Sequence, residues 1–134
     1  MKNPANFLKS IYLGDRVCKA ISLDTWNAVV RIRIDVISRI RSDSGNWEFH
    51  KDEDVENGSL VFGDVKAFSM SPDGLLPNDL VNSVSIAPAE GNGLWNFRMG
   101  VDSVDENGCA QEVQIAIVAR TLWIERQDGV PIDD

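Results

Sequence analysis

The stretch from Ala28 to Arg41 alternates apolar and mostly charged positions with a period of two residues. The apolar residues at even-numbered positions, which share one parity, are Val30, Ile32, Ile34, Val36 and Ile40. A helix would instead repeat its apolar positions every three or four residues. The many β-branched side chains also favour an extended chain. We therefore predict one long strand over 28–41, with one buried and one solvent-exposed face, as in antiparallel sheets.

The segment before this strand is predicted to pair with it as a hairpin. A loop at Asp24–Asn27 places Ile21 opposite Val30 and Val17 opposite Ile34. Partners across an antiparallel ladder share one face of the sheet, and both of these pairs are apolar. The register thus predicts a two-stranded ribbon with an apolar inner face.

Four arginines share the outer face of the predicted strand: Arg31, Arg33, Arg39 and Arg41. A turn at Ser42–Gly45 places Arg39 opposite Glu48. Asp35 lies among the arginines, and the chain as a whole is acidic. We therefore expect a solvated face with cross-strand ion pairs rather than a phosphate-binding stripe.

Two segments carry helix signals. The apolar positions within Ala5–Leu13 fit helical spacing and Gly14 is a natural stop, so we expect a short helix or an extended lead-in. Residues 51–58 combine carboxylates typical of a helix start with a terminal Gly58. They are predicted to form an acidic loop or a single helical turn.

The middle of the chain carries further strand signals. Residues 60–70 predict either a pair of strands or one strand with a bulge near Gly63, where Val65 breaks the parity. Residues 80–87 predict a short strand that Pro88 ends.

The clearest hairpin lies in the last third of the chain, where apolar side chains alternate along 95–101 and again along 113–117. A three-residue loop at Glu106–Gly108 brings these two apolar rows together, with Gly108 in the left-handed position of a bulged turn. The predicted pairs are Val101 with Val113, Met99 with Ile115, and Phe97 with Ile117. A two-residue turn would instead mix the two faces.

Together these segments give seven or eight short strands separated by turn residues, which is typical of antiparallel all-β folds. We predict a mostly β chain that forms a single all-β domain over residues 1–134, with a short N-terminal helix or lead-in. A β-sandwich of two packed sheets is the preferred arrangement. The alternatives are an open barrel and one strongly curved sheet with the N-terminal helix packed on it.

The chain has 134 residues and a formal net charge of −8 at pH 7. This charge argues against nucleic acid and anionic membranes as partners and favours a basic protein. The N-terminus has no secretory signal pattern, and no stretch approaches the ~20 apolar residues of a membrane span. We therefore expect a cytoplasmic protein with Cys18 and Cys109 as free thiols.

The sequence offers few candidates for catalytic chemistry. His50 is the single histidine, so a Ser-His-Asp or Cys-His site would have to include it. Zinc-ligand, phosphate-loop and dinucleotide spacings do not occur, and the acidic run after His50 departs from the calcium-loop pattern. We therefore assign no catalytic residue, no metal and no cofactor.

Two features are candidates for partner contacts. Trp26 lies in the predicted hairpin loop, where it either is exposed as a contact anchor or folds back over a sheet edge. The other tryptophans, Trp47, Trp95 and Trp123, fall on the predicted buried faces. The second feature is the predicted acidic loop, which would steer a cationic partner. Its acidic residues are Asp52, Glu53, Asp54 and Glu56.

The run LVFGDVKAF at 60–68, the following GLLPNDLV at 74–81 and the C-terminal hairpin resemble a pattern in small uncharacterised bacterial all-β proteins. In that pattern an F-x-x-V-x-x-F strand precedes a polar P-N-D loop, and the resemblance extends over roughly residues 7–125. Some similar small acidic bacterial proteins are immunity partners of toxins. The resemblance therefore implies an all-β fold and this kind of function. It implies no functional residue, because the shared motifs are structural.

These observations favour a non-enzymatic cytoplasmic protein-binding domain, with an immunity-type inhibitor of a basic partner as its most specific form. A second hypothesis is a small-ligand-binding or hydrolytic β-sandwich protein with a crevice near His50. A third is a structural subunit that self-assembles through an edge strand. The sequence leaves the oligomeric state open.

Overall fold

The computed structural model describes residues 3–40 and 49–132, with the backbone alone described at residue 40 and at residues 49–53. Within these ranges one short helix is followed by twelve strands. The helix is α1 (Pro4–Lys9), and the strands are β1 (Ile11–Tyr12), β2 (Cys18–Asp24), β3 (Val29–Ile34), β4 (Val36–Ile40), β5 (Phe49–Glu56), β6 (Ser59–Gly63), β7 (Ala67–Ser71), β8 (Val81–Pro88), β9 (Trp95–Val104), β10 (Ala110–Ala119), β11 (Thr121–Glu125) and β12 (Pro131–Ile132). No helix in the described ranges has the length and hydropathy needed to cross a bilayer.

The strands pair antiparallel and build three sheets. The five-stranded sheet has the order β12-β11-β6-β3-β2, the four-stranded sheet β7-β10-β9-β8 and the three-stranded sheet β1-β4-β5. This confirms the predicted mostly β, sandwich-type fold with a short N-terminal helix. The strands outnumber the predicted seven or eight partly because several predicted strands divide where the chain passes from one sheet to another.

The long predicted strand is in fact two strands, β3 and β4, with a bend at Asp35 between them. β3 belongs to the five-stranded sheet and β4 to the three-stranded sheet. The Asp35 carboxylate accepts the backbone N–H groups of Val17 (2.8 Å) and Val36 (2.9 Å), which fixes the bend. The alternation does not continue across it, since three consecutive residues of β4, Ile37, Ser38 and Arg39, are all buried. The prediction of one unbroken strand is therefore wrong at Asp35.

The same bend divides the predicted arginine face. Arg31 is half-buried and Arg33 is exposed on β3, whereas Arg39 on β4 is only 7% exposed. Arg39 is in register with His50, so its predicted pairing with Glu48 is wrong. Arg41, Trp47 and Glu48 lie outside the described residues.

The β2–β3 hairpin forms as predicted but in a different register. The observed pairs are Ile21 with Ile32, Leu23 with Val30, and Cys18 with Ile34. The predicted pairing of Ile21 with Val30 is off by two residues, a shift that preserves parity and keeps apolar partners on one face. A bulge between Cys18 and Ala20 adds one residue to β2, so Cys18 rather than Val17 opposes β3 from the buried side.

The β9–β10 hairpin has the predicted register. Val101 pairs with Val113, Met99 with Ile115 and Phe97 with Ile117, and all of these side chains are buried. The Gly108 N–H donates to the Asp105 carbonyl (3.0 Å), and the Asp105 N–H donates to the Cys109 carbonyl (3.0 Å). Gly108 has a φ of +80°, which confirms the left-handed position in a three-residue loop.

The alternation of buried positions is also interrupted at Arg120, between β10 and β11, where it changes parity. Ile117 is buried in β10, whereas Leu122 is buried in β11. Trp123 consequently lies on the outer surface of the five-stranded sheet, half-buried, with its ring over Gly63. The prediction that Trp123 lies on the inner face is therefore wrong, because the alternation does not continue through Arg120.

The remaining segments differ from the predictions in smaller ways. α1 ends at Lys9, where the Ser10 N–H donates to the Phe7 carbonyl (2.9 Å), and Ile11–Tyr12 continues as β1 beside β4. β6 and β7 are separate strands in different sheets, so the alternative of a single bulged strand is wrong. The predicted strand before Pro88 is confirmed as β8.

The main core lies between the five-stranded and four-stranded sheets. Phe62 of β6 and Phe97 of β9 are almost fully buried, and their ring centroids lie 4.6 Å apart. Aliphatic side chains from both sheets belong to the same core, among them Val30, Ile32, Leu60, Met99, Val101, Ile115, Ile117, Leu122 and Ile124. Burial of this apolar area is the main force that holds the sheets together.

Candidate functional site

The β2–β3 turn, Thr25–Ala28, is held by hydrogen bonds at both of its ends. The Asp24 carboxylate accepts the Asn27 backbone N–H (3.0 Å) and the Asn27 side-chain amide (2.9 Å). These hydrogen bonds from Asn27 hold the pKa of Asp24 below its usual value. The Ala28 carbonyl accepts the Val65 N–H (2.9 Å), which ties the turn to the connection between β6 and β7.

Trp26 projects from this turn into solvent. It is 92% exposed and the neighbouring Leu23 is 53% exposed, so the alternative in which Trp26 folds back over a sheet edge is wrong. A groove of about 210 Å³ lies beside the turn. Its apolar lining comprises Leu23, Ala28, Val29, Val30, Val65 and Phe68. We call Trp26, Leu23 and this groove the hairpin-tip surface. An exposed tryptophan beside an apolar groove is typical of protein contact sites.

The acidic segment predicted as a loop or helical turn is instead the strand β5. Asp52 and Glu53 belong to this strand, and the structure describes their backbone but not their side chains. Asp54 is half-buried, with one carboxylate oxygen that is buried and has no hydrogen-bond partner among the described residues. Glu56 is exposed and in register with Val36. β5 belongs to the three-stranded sheet and Trp26 to a hairpin of the five-stranded sheet, so the two predicted contact features lie on different sheets.

His50 also lies on β5, and its side chain is outside the described residues. The register partner of His50 is Arg39, and the residue before Arg39, Ser38, is fully buried. The Ser38 hydroxyl accepts a hydrogen bond from Arg16 (Nη2–Oγ 2.5 Å). A crevice near His50 stays a prediction. Across the part of the chain that is described, no three His, Cys, Asp or Glu side chains are grouped so that they could hold a metal ion.

An ion pair that sequence reasoning missed crosses the outer face of the five-stranded sheet. Arg31 Nε lies 2.9 Å from Glu125 Oε1, and Arg31 Nη2 lies 3.3 Å from Oε2. Trp123 Nε1 donates to the same carboxylate (3.1 Å). Hydrogen bonds from Arg31, and then from Trp123, hold the pKa of Glu125 below its usual value against the opposing effect of burial. Val61 lies between its register partners Arg31 and Trp123 and is fully buried. The side chains of Arg31, Trp123 and Glu125 therefore cover this part of the sheet.

A larger groove of about 500 Å³ lies between the N-terminal segment and β8. Its walls are formed by Ala5, Leu8, Lys9, Ile11, Tyr12, Leu13 and Gly14 on one side and by Val81–Ile86 on the other. We call it the β8 groove, because β8 is the edge strand of the four-stranded sheet. Sequence reasoning did not find it, since it depends on where the N-terminal segment packs.

Asn82, one of the residues that line the β8 groove, holds together two carboxylates that are not themselves part of the lining. Its Nδ2 lies 2.6 Å from Asp102 Oδ1 and 3.1 Å from Glu112 Oε2. Asp102 and Glu112 are cross-strand partners in β9 and β10, where two like charges would otherwise repel. A bulge between Val81 and Ser83 places Asn82 outside the regular ladder, within reach of both.

One protein-family model matches residues 1–133 of the chain. The chain belongs to this family, a family of unknown function (DUF6258). No curated protein matches the chain, and no solved structure matches it. The two surfaces described above are therefore the basis for a functional hypothesis about this DUF6258 protein.

Proposed function

We propose that the protein is a non-enzymatic, cytoplasmic protein-binding domain that contacts its partner through the hairpin-tip surface. The observation that carries this proposal is the 92% exposure of Trp26 on a turn held by hydrogen bonds. Tryptophan is among the residues that contribute most to protein interfaces. A turn that is already ordered also loses little conformational entropy on binding.

The proposed partner is a basic protein, and the most specific form of the proposal is immunity-type inhibition of a toxin. The net charge of −8 supports a basic partner, because long-range attraction speeds association with a cationic surface. The resemblance to small acidic bacterial proteins, some of which are immunity partners of toxins, supports the more specific form.

Capture from an extract of the native host tests the proposal. The full chain, its Trp26→Ala variant and its Leu76→Ala variant are immobilised in parallel and exposed to the extract at low and physiological salt. Leu76 is a matched control, because it is an apolar side chain that is 73% exposed outside the hairpin-tip surface.

We expect one protein to be retained by the wild type and by Leu76→Ala, and its affinity to fall by about tenfold or more in Trp26→Ala, as at an interface hot spot. Recovery of no specific protein at either salt concentration, or equal retention by all three chains, contradicts the proposal.

A further inference from the structure

The β8 groove exposes the edge of a strand rather than one face of a sheet. Its lining includes every residue from Val81 to Ile86, and consecutive side chains of a strand point to opposite faces. A cavity that touches all of them runs along the edge of the strand, where alternate backbone N–H and C=O groups point outward. Among the described residues, the backbone of residues 82–87 has hydrogen-bond partners on β9 alone.

The opposite wall of the groove limits what can add to this edge. Pro4 and Ile86 line one small cavity, and the Val81 N–H donates to the Arg16 carbonyl (2.8 Å). The N-terminal segment therefore flanks β8 from one end to the other. The groove, with a wall on each side and β8 along its length, is shaped to take one extended segment.

Charge and apolar lining indicate the chemistry of that segment. Asn82, near the Val81 end of the groove lining, donates to the Asp102 and Glu112 carboxylates, which lie outside the lining, and Lys9 is the one charged side chain among the described lining residues. A cationic side chain is therefore favoured beside the two carboxylates. Leu8, Ile11, Leu13, Val84 and Ile86 line the groove with apolar surface, which favours apolar side chains at alternate positions of the bound strand.

We propose that the β8 groove binds an extended, apolar segment of a partner protein, which adds to β8 as a strand and places a lysine or arginine beside Asp102 and Glu112. This goes beyond the proposed function and needs no contact with Trp26. The two surfaces are well separated. Cys18, at the start of β2, donates its N–H to the Asp79 carbonyl just before β8. The β2–β3 turn lies at the other end of β2, a strand length of about 20 Å away.

Backbone amide NMR of the full chain, titrated with a short synthetic peptide, tests the site. The peptide alternates valine and threonine and carries one lysine near its end. We expect resonance shifts along residues 82–87 and none along 67–71, because β7 is the other edge of the same sheet and serves as the internal control. Two further peptides carry N-methyl groups on alternate backbone nitrogens. One is methylated at the odd-numbered residues and the other at the even-numbered residues. We expect one of them to lose about tenfold or more in affinity, because a single set of N–H groups faces β8.

The variants Asp102→Asn and Glu112→Gln, which keep the side-chain shapes, test the charge. Each is expected to weaken binding of the lysine peptide by about two- to fivefold, the range of exposed ion pairs. Each should leave binding of the same peptide with alanine in place of lysine unchanged. Trp26→Ala should bind the lysine peptide like the wild type, so a failure at the hairpin-tip surface is distinguishable from a failure here.

Two results overturn the proposal. One is the absence of peptide-induced shifts along β8 while the protein remains folded. The other is a shift of the same β8 resonances with rising protein concentration and no peptide, which would identify a second copy of the chain as the occupant.

Discussion

The rings of Phe62 and Phe97 meet with their centroids 4.6 Å apart and their planes inclined at 49°. Phe62 lies in the five-stranded sheet and Phe97 in the four-stranded sheet, so this contact joins the two layers. Tilted aromatic pairs contribute beyond the apolar area that they bury. The pair is therefore the natural place to test whether the two layers form one core.

We expect Phe97→Ala to lower the free energy of unfolding by about 3–5 kcal/mol, because it removes a buried ring and leaves a cavity. Urea unfolding followed by circular dichroism measures the change. The exposed Leu76→Ala is the control and should change stability by less than about 0.5 kcal/mol. If Phe97→Ala does not fold, Phe97→Leu gives a smaller loss of about 1 kcal/mol. Equal stability of Phe97→Leu, Leu76→Ala and the wild type would contradict a packed interface at this position.

Asp35 is predicted to stabilise the bend between β3 and β4 through the two backbone N–H groups that its Oδ1 accepts. Asp35→Ala leaves both donors without this partner, and we expect a loss of about 1–3 kcal/mol. Asp35→Asn retains an oxygen at the same place and should lose clearly less. Urea unfolding of the two variants side by side decides the matter, and an equal loss in both would argue against this role of the oxygen.

The Arg31–Glu125 pair predicts a pH dependence of stability. The pKa of Glu125 in the folded chain lies below its ordinary value of 4.5. The contribution of the carboxylate is therefore fully present above about pH 4.5 and is lost as the pH falls through the folded-state pKa. We expect Glu125→Gln to be less stable than the wild type by about 1–2 kcal/mol at pH 7, since Arg31 is partly solvated.

The difference between the wild type and Glu125→Gln should shrink as the pH falls below 4.5. Urea unfolding at a series of pH values measures it. A difference that stays constant down to strongly acidic pH would show that the hydrogen-bonded charge is not its source.

The two cysteines are predicted to differ in reactivity. Burial raises the pKa of the Cys18 thiol to about 11, whereas Cys109 is exposed in the β9–β10 turn region. A thiol-specific chromogenic reagent at mildly alkaline pH should therefore react quickly with Cys109 alone in the native chain and with both thiols in denaturant. Cys109→Ser should abolish the fast native reaction. Rapid native reaction of that variant would place Cys18 at the surface.

How much of this fold was predictable depends on how far apart in sequence the contacts are. The β9–β10 register followed from the sequence, because its apolar rows flank one loop and the position of Gly108 fixes the loop length. The β2–β3 hairpin kept its apolar face although its register differed by two residues, because parity survives such a shift.

The breaks in alternation at Asp35 and Arg120 were not predictable from the pattern of apolar residues. At each of them a single residue carries the chain from one sheet to another, and the alternation of buried and exposed positions does not continue across that residue. Arg39 and Trp123 were placed on the wrong face for this reason. The pairing of Arg31 with Glu125 also depends on which strands become neighbours.

The candidate surfaces were predictable to different degrees. Trp26 was found because a turn residue cannot easily be buried by the strands that it joins, and its exposure agrees with one of the two alternatives. The acidic segment was placed in a loop from its composition, yet β4 offers it a strand partner. The β8 groove needs the N-terminal segment in position, which no local pattern indicates.

Contact between Trp26 and a partner protein is tested most directly by site-specific photo-crosslinking in the native host. A photoreactive amino acid is placed at position 26 of the full chain and, in a second chain, at position 76, which is exposed outside the hairpin-tip surface. We predict one discrete adduct with a basic protein from position 26 and none from position 76. The same adducts from both positions, or none from either, would contradict this contact.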